Sequence, residues 1–174
     1  MIERVENLDH SYPQELKLTA NWPHRSPFVI GQVIRPIIED KIVCDVGCAE
    51  GDQLKIFAQF AKHVIGVEIN SIRAKPAINA GFNVIQGDYK DIDLPQADVY
   101  FSWIGIQQDQ NFVDYLFQNQ IKCTTLNFSR RAPHTLELAK KYNGKILEFE
   151  FHEPSSDLPH FEKDGLGWVS VITI

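Results

Sequence analysis

The chain has 174 residues, of which 44% are hydrophobic, so it is long enough for one well-packed domain and too short for two ordinary ones. Its formal net charge of −6 argues against a general binder of nucleic-acid backbones, which normally presents a basic face, so no nucleic-acid partner is expected. No stretch has the apolar length of a membrane helix and the N-terminus lacks a signal-peptide pattern, which favours a cytoplasmic protein without membrane contact.

The first 26 residues are polar and contain Pro13 and Pro23, which predicts an irregular arm ahead of a single domain at residues 27–174. Two aromatic side chains, Tyr12 and Trp22, lie in this arm. They fit either a lid over a binding site or a loosely ordered tail, and the sequence does not decide between these alternatives.

From residue 27 onward, helix-like spacing of apolar residues alternates with short apolar runs. A first helix is predicted to begin at residue 27, and the helix after the first apolar run is predicted to continue to about His63. The apolar runs predict strands at residues 41–46, 64–67, 83–86, 98–104 and 122–128. This alternation of strand and helix is typical of a doubly wound, mainly parallel sheet.

The last two β-rich runs, residues 145–151 and 167–174, have no helix between them and predict an antiparallel pair. The connector at residues 152–166 predicts a surface loop, and its acids and histidines match no familiar metal-ligand spacing. The three cysteines form no C-x-x-C pair, so no metal site is predicted. We therefore predict an α/β fold: a Rossmann-like doubly wound sheet of about seven strands, mostly parallel, with an antiparallel C-terminal hairpin.

The first predicted strand leads through Asp45 into a turn of small residues. Glycine at positions 47 and 51 permits backbone angles closed to other residues, so a bound group can approach the main chain closely. In an open α/β sheet, ligands bind at the carboxyl ends of the strands, next to the point where the strand order reverses. The candidate site residues therefore follow the ends of the first four strands: Asp45, Gly47, Cys48, Ala49, Gly51, Glu68, Ile69, Asp88, Tyr89, Ser102 and Trp103.

Glu68 lies twenty-one residues after Gly47, close to the offset at which an acid binds the two ribose hydroxyls of a nucleotide cofactor. The alternative is a solvated glutamate at a strand end. A dinucleotide fingerprint needs a third glycine where Asp52 stands, and this acid would repel a pyrophosphate. S-adenosylmethionine, which has a cationic middle part, suits this turn better than a dinucleotide does.

Residues 43–51 resemble the first motif of the class I S-adenosylmethionine-dependent methyltransferases. Residues 67–70 resemble the ribose-binding acid of that family, and Gly87-Asp88 resembles the acid that meets the adenine amino group. The resemblance extends from about residue 27 to the C-terminus and includes the reversed last strand. It implies S-adenosylmethionine as the cofactor, with Asp45 near its amino group, Gly47, Cys48, Ala49 and Gly51 around its methionine part, and Ile69 and Tyr89 beside its adenine.

The acceptor side carries fewer signals. Family members that methylate planar amide or base nitrogens commonly have Asn/Asp-Pro-Pro-aromatic after the fourth strand, whereas this chain has Ser-Trp-Ile-Gly at residues 102–105. Ser102 and Trp103 are the acceptor-site candidates, because an indole face can hold an alkylammonium group or another ring; the alternative for Trp103 is a core side chain. Arg130 and Arg131, after the fifth strand, suit either an anionic substrate or a solvated pair.

These features predict a methyltransferase that transfers a methyl group by direct displacement to a small molecule or a protein side chain. Such a protein must mainly align the acceptor with the methyl group and exclude water. Two alternatives stay open: a protein that binds S-adenosylmethionine or S-adenosylhomocysteine without transfer, and an NAD-dependent oxidoreductase, which Asp52 disfavours. The sequence identifies neither the acceptor nor the oligomeric state.

Overall fold

The computed structural model describes residues 1–9, 25–152 and 164–174, which form one sheet with helices on both faces. The strands are β1 (Ile2–Val5), β2 (Ile42–Val46), β3 (His63–Glu68), β4 (Asn83–Gln86), β5 (Val99–Ser102), β6 (Thr124–Ser129), β7 (Lys145–His152) and β8 (Asp164–Thr173). The helices are α1 (Arg25–Ile38), α2 (Asp52–Phe57), α3 (Ser71–Asn79), α4 (Ile106–Gln118) and α5 (Ala132–Lys141).

The strand order across the sheet is β1-β7-β8-β6-β5-β2-β3-β4. Neighbouring strands pair in parallel except for β8, which runs antiparallel to both β6 and β7. The chain moves outward from β2 to β4 and then returns to place β5 on the other side of β2. The order therefore reverses between β2 and β5, where sheets of this type bind ligands. The predicted doubly wound sheet with its antiparallel hairpin is confirmed.

Alternate residues of the central strands fill two hydrophobic layers. On one face, Val99 and Phe101 of β5 belong to a cluster that includes the apolar side of α1. On the other face, Tyr100 packs with Phe112 and Leu116 of α4. Because side chains alternate along a strand and both faces are covered, the parallel strands have continuous apolar sequences.

The eighth strand, β1, lies in the segment that the sequence predicts as an irregular arm. Residues 2–5 pair in parallel with residues 146–149 of β7 at the edge of the sheet, so this part of the prediction is corrected. The strand has four residues and its partner lies at the other end of the chain, so no local pattern identifies it. The rest of the predicted arm, with Tyr12 and Trp22, lies outside the described residues, as does the connector at residues 153–163.

Two helix boundaries also differ from the prediction. Helix α1 begins at Arg25 rather than at residue 27, and it contains Pro36 in its last turn. Helix α2 ends at Phe57 rather than near His63. After α2, the N–H groups of residues 59 and 60 donate to carbonyls three residues earlier, at 3.2 and 3.0 Å, which tightens the chain into turns.

Candidate functional site

One large cavity of about 1180 Å³ lies at the carboxyl ends of β2, β3, β4, β5 and β6. This volume exceeds the usual range for a drug-sized ligand, so the cavity has room for a nucleoside cofactor and a second molecule. The cavity brings together nine of the residues selected from the sequence: Asp45, Gly47, Cys48, Ala49, Glu68, Ile69, Asp88, Tyr89 and Trp103.

The turn between β2 and α2 has left-handed backbone angles at three positions. The φ angle is 81° at Gly47, 48° at Ala49 and 87° at Gly51. A β-carbon at Gly47 would overlap Cγ2 of Ile104, so only glycine fits there without a shift of the loop after β5. Gly51 lies behind the turn, where a β-carbon would be 2.7 Å from Cβ of Ala77 on α3. The two glycines allow the turn to pack tightly between that loop and α3.

Strand β3 holds the turn in place. The carbonyl of Val67 accepts hydrogen bonds from the N–H groups of Gly47, at 2.7 Å, and Cys48, at 3.1 Å. Oε2 of Glu68 accepts another from the N–H of Ala49 at 2.9 Å. The N–H groups of Gly47, Cys48 and Ala49 therefore donate to groups of the protein itself. A ligand placed at the turn would therefore meet the shape of the turn and the acids beside it rather than these N–H groups.

Glu68 ends β3 and is 4% exposed, yet it lines the cavity. Besides the bond to Ala49, its Oε1 accepts a hydrogen bond from the N–H of Asn70 at 2.9 Å. These two bonds fix the orientation of the carboxylate. Since each carboxylate oxygen can accept a second hydrogen bond, Glu68 keeps the capacity to bind two hydroxyl groups of a ligand.

Asp45 is 3% exposed and lines the same part of the cavity. Burial, with a smaller contribution from the charge of Glu68, raises the pKa of Asp45 to about 8. A cation bound nearby would favour the ionised carboxylate and lower this pKa. Asp45 is therefore suited to a ligand that carries an amino group.

The side chain of Cys48 is buried in the packing behind the turn. It is 4% exposed, and a β-carbon at Gly66 would lie 2.6 Å from its sulfur. Burial also raises the pKa of the Cys48 thiol, so the group stays neutral. Cys48 is nevertheless one of the residues that line the cavity.

Ile69 follows the end of β3, and Asp88 and Tyr89 follow the end of β4. Ile69 is 65% exposed although it is apolar, so its surface is available to a flat ligand. The ring of Tyr89 packs edge-on against Phe112, with ring centroids 4.9 Å apart. Oδ1 of Asp88 accepts a hydrogen bond from the N–H of Lys90 at 3.0 Å, which orients the carboxylate. All three residues line the cavity.

The structure separates the two acceptor-site candidates. Trp103 lines the cavity, is 44% exposed, and packs edge-on against Phe128 with ring centroids 4.7 Å apart. Ser102 is the last residue of β5 and is fully buried, and its hydroxyl donates to Oδ1 of Asp109 in α4 at 2.6 Å. The choice of Ser102 as an acceptor contact is therefore corrected: Ser102 supports the site from inside the sheet.

A chain of buried hydrogen bonds extends behind Trp103. Ser170 donates to Oδ1 of Asn127 at 3.2 Å, and Nδ2 of Asn127 donates to Ser102 at 2.7 Å. Oδ1 of Asp109 accepts from Ser102 and, at 3.3 Å, from the N–H of Ile104. Burial raises the pKa of Asp109 to about 6, although these hydrogen bonds act to lower it. The network connects β8, β6 and β5 to the start of α4.

Two features of the site are absent from the sequence prediction. Asp109 lines the cavity and lies three and seven residues before Phe112 and Leu116, on the same buried helix face. That spacing was a usable signal for a buried acid. The second feature is the ion pair between Arg73 and Glu50, with both N–O distances 3.3 Å, which joins α3 to the turn. No local pattern predicts a pair between residues on separate elements.

Two further properties concern only the part of the chain that the structure describes. In that part, no group of three or more histidine, cysteine, aspartate or glutamate side chains is arranged to hold a metal ion. No helix there combines the length and the apolar character needed to cross a membrane.

Solved structures share the architecture around this cavity. The C-terminal domain of precorrin-6Y C5,15-methyltransferase from Rhodobacter capsulatus matches with a TM-score of 0.68 and 14% identity, over 94% of this chain and 97% of that one. An RNA methyltransferase from Salinibacter ruber, in complex with S-adenosyl-L-homocysteine, matches with a TM-score of 0.54 and 18% identity, over 84% and 90%. The chain has the class I methyltransferase fold. At these identities the likeness shows the fold alone, and β8 is the reversed strand of this methyltransferase fold.

Sequence comparison gives a shorter match. Protein arginine N-methyltransferase 1 of Saccharomyces cerevisiae is 40% identical over 83 residues, which cover 41% of this chain and 24% of that protein. The chain therefore spans about a quarter of the length of this curated relative. No protein-family model matches the sequence.

Proposed function

We propose that this protein is an S-adenosylmethionine-dependent methyltransferase whose cofactor binds at the carboxyl ends of β2, β3 and β4. The observation that carries the proposal is the placement of Glu68. This acid ends β3, borders the cavity, and is hydrogen-bonded through Oε2 to the tight turn after β2. A carboxylate fixed beside a turn of this kind matches the requirements of a ribose diol next to a closely held main chain.

The other proposed contacts lie in order along the cofactor, from its methionine part to its adenine ring. Asp45 binds the amino group of the methionine part, which the turn at residues 47–51 encloses. Ile69 and Tyr89 lie on either side of the adenine ring, and Asp88 accepts a hydrogen bond from its amino group. The exposed apolar surface of Ile69 and the fixed ring of Tyr89 support this assignment, because both line the cavity near Asp88.

The bound cofactor supplies an activated methyl group on a sulfonium centre, so transfer needs no nucleophilic side chain. The residues of the chain bind the cofactor, orient the acceptor and exclude water. Trp103 forms the wall against which the acceptor is held, and Asp109 and Ser102 keep that wall in position from behind. With S-adenosylmethionine bound, the methyl group would pass by direct displacement to a small molecule or a protein side chain, with S-adenosylhomocysteine as the leaving group.

Two alternatives remain to be weighed: a nucleic acid as the methyl acceptor, and NAD as the cofactor. The Salinibacter ruber neighbour is an RNA methyltransferase. The net charge of −6 favours acceptors other than nucleic acid, because binding a phosphate backbone requires several cationic contacts. Asp52 begins α2 at the position that would face a pyrophosphate, which disfavours NAD. Location in the cytoplasm stays a prediction.

Calorimetric titration with S-adenosylhomocysteine tests the assignment of Glu68. We expect Glu68→Gln to weaken binding by about tenfold or more, because hydrogen bonds to a charged group are among the stronger ones in proteins. The matched control is Glu39→Gln, which removes the same charge from a half-exposed glutamate that pairs with Arg35 near the opposite end of β2. Thermal unfolding of both variants checks that the turn remains folded.

Two outcomes would overturn the proposal. One is an affinity for S-adenosylhomocysteine that changes less than about twofold in Glu68→Gln, which would remove the ribose role. The other is binding of NAD without binding of S-adenosylhomocysteine. Transfer of a labelled methyl group to any acceptor then separates an enzyme from a protein that only binds the cofactor.

A further inference from the structure

Arg130 and Arg131 line the same cavity as the cofactor-side residues, and they follow β6 directly. Phe128, two residues earlier, packs against Trp103, so the two arginines lie next to the acceptor wall. These two adjacent positive charges contrast with the negative net charge of the whole chain, which is −6.

The backbone at these arginines is fixed by local hydrogen bonds. The N–H of Arg131 donates to Oγ of Ser129 at 3.0 Å, and the carbonyl of Arg131 accepts from the N–H of Thr135 at 3.4 Å. Arg131 is the N-cap residue of α5, which has ten residues. The positive end of this helix thus adds to the two guanidinium groups that border the cavity.

Most of the acidic residues that line the cavity lie on the side assigned to the cofactor, unlike the two arginines. Asp45, Glu68 and Asp88 surround the part assigned to the cofactor, Asp52 begins α2 at the end of the turn, and Glu50 is paired with Arg73. Beside Trp103 the lining acid is Asp109, which is 2% exposed and engaged by Ser102. Among the described residues that line the cavity, the acceptor side is consequently the more positive side.

We propose that the methyl acceptor is a small organic anion whose carboxylate or phosphate group is bound by Arg130 and Arg131 while its apolar part lies against Trp103. This inference rests on the proposed methyltransferase function and names the substrate class of that site. The planar guanidinium group suits both anions, because its N–H groups can bind two oxygens of one group. A small anion fits better than a nucleic acid, since two cations neutralise few phosphates of a backbone.

The test uses phenylacetate and phenylacetamide, two probes of nearly equal shape of which only the first is charged. Ligand-observed NMR measures both affinities on the protein with and without S-adenosylhomocysteine. We expect the acid to bind at least about fivefold more tightly than the amide. This preference is expected to fall in Arg131→Gln and to vanish in the double variant Arg130→Gln/Arg131→Gln.

The matched control is Lys122→Gln, which removes an exposed charge next to the opposite end of β6 and should leave the preference unchanged. If the acid and the amide bind alike, or if neither binds, the proposal is overturned. The same holds if the preference survives in the double variant. Failure of S-adenosylhomocysteine to bind would count against the proposed function instead, and the arginine variants should keep that affinity within about twofold.

A short single-stranded RNA provides the competing acceptor class. For a small anion held by two arginines, we expect RNA binding to be weak and to depend little on Arg131. Binding of RNA that depends on Arg131 more strongly than phenylacetate binding does, with a steep loss of affinity as salt increases, would show a polyphosphate acceptor and contradict the proposal.

Discussion

The two sides of the cavity are built in different ways. On the cofactor side, Glu68 ends β3 and Asp45 lies one residue before the end of β2, so the sheet itself sets their positions. On the acceptor side, Trp103 lies in a loop and Asp109 lies in the first turns of α4. The contrast indicates that strand pairing positions the two acids proposed to bind the cofactor, whereas loop and helix packing position the residues proposed to border the acceptor.

Gly47 on the cofactor side faces Ile104 in the loop after β5 with no room for a β-carbon, and a substitution there is expected to have the largest effect. Gly47→Ala should lower the free energy of unfolding by about 3 kcal/mol or more and abolish binding of S-adenosylhomocysteine, since the methyl group overlaps Cγ2 of Ile104. Urea unfolding and calorimetry measure the two effects.

Gly81→Ala is the matched control for that substitution. Gly81 has a φ angle of 89°, close to the 81° of Gly47, but no heavy atom lies within 4 Å of its would-be β-carbon. Its substitution should cost only the backbone strain, about 1 kcal/mol. Equal losses in the two variants would show that the contact with Ile104 does not hold the two sides together.

The same contrast explains what the sequence could predict. Glu68 was identifiable because the apolar runs locate the strands and because the acid lies twenty-one residues after Gly47 in the sequence. Ser102 was wrongly taken as an acceptor contact, because the run through residues 98–104 does not indicate which face each residue takes in the sheet. Asp109 carried a helical spacing that reveals burial but not its bond to Ser102, which depends on how α4 packs.

The cofactor side is expected to release a proton when its ligand binds. Below pH 8 the ligand-free protein holds a proton on Asp45, and a ligand amino group favours the ionised form. Raising the pH from 6 to 8 should therefore strengthen S-adenosylhomocysteine binding, by about tenfold. Calorimetry in buffers of different ionisation enthalpy measures the release.

Asp45→Asn serves as the control for this pH dependence. The variant should bind more weakly at pH 8 and should show a flat pH profile over the same range. Proton uptake on binding by the unmodified protein, or an unchanged slope in the variant, would argue that Asp45 does not meet the amino group.

The acceptor side is expected to respond to pH through the stability of the folded protein. The folded protein binds the proton of Asp109 with a pKa of about 6, above the ordinary value of 3.8 that applies to the unfolded chain. Stability from this group is therefore present below pH 4 and is lost as the pH rises toward 6. Asp109→Asn should gain stability relative to the unmodified protein by about 1–3 kcal/mol between these two pH values.

Urea unfolding at a series of pH values between 4 and 7 checks this expectation. A difference between variant and unmodified protein that stays constant with pH would mean that Asp109 is not a buried carboxylate. Binding of S-adenosylhomocysteine should change little in this variant, because Asp109 supports the acceptor wall rather than the cofactor turn.

A crystal structure of the protein with S-adenosylhomocysteine tests the central claim most directly. We expect both ribose hydroxyls within about 3.2 Å of the Glu68 carboxylate, with the adenine ring beside Tyr89 and the amino group of the methionine part beside Asp45. A bound molecule elsewhere on the protein, or a ribose that does not reach Glu68, would contradict the account.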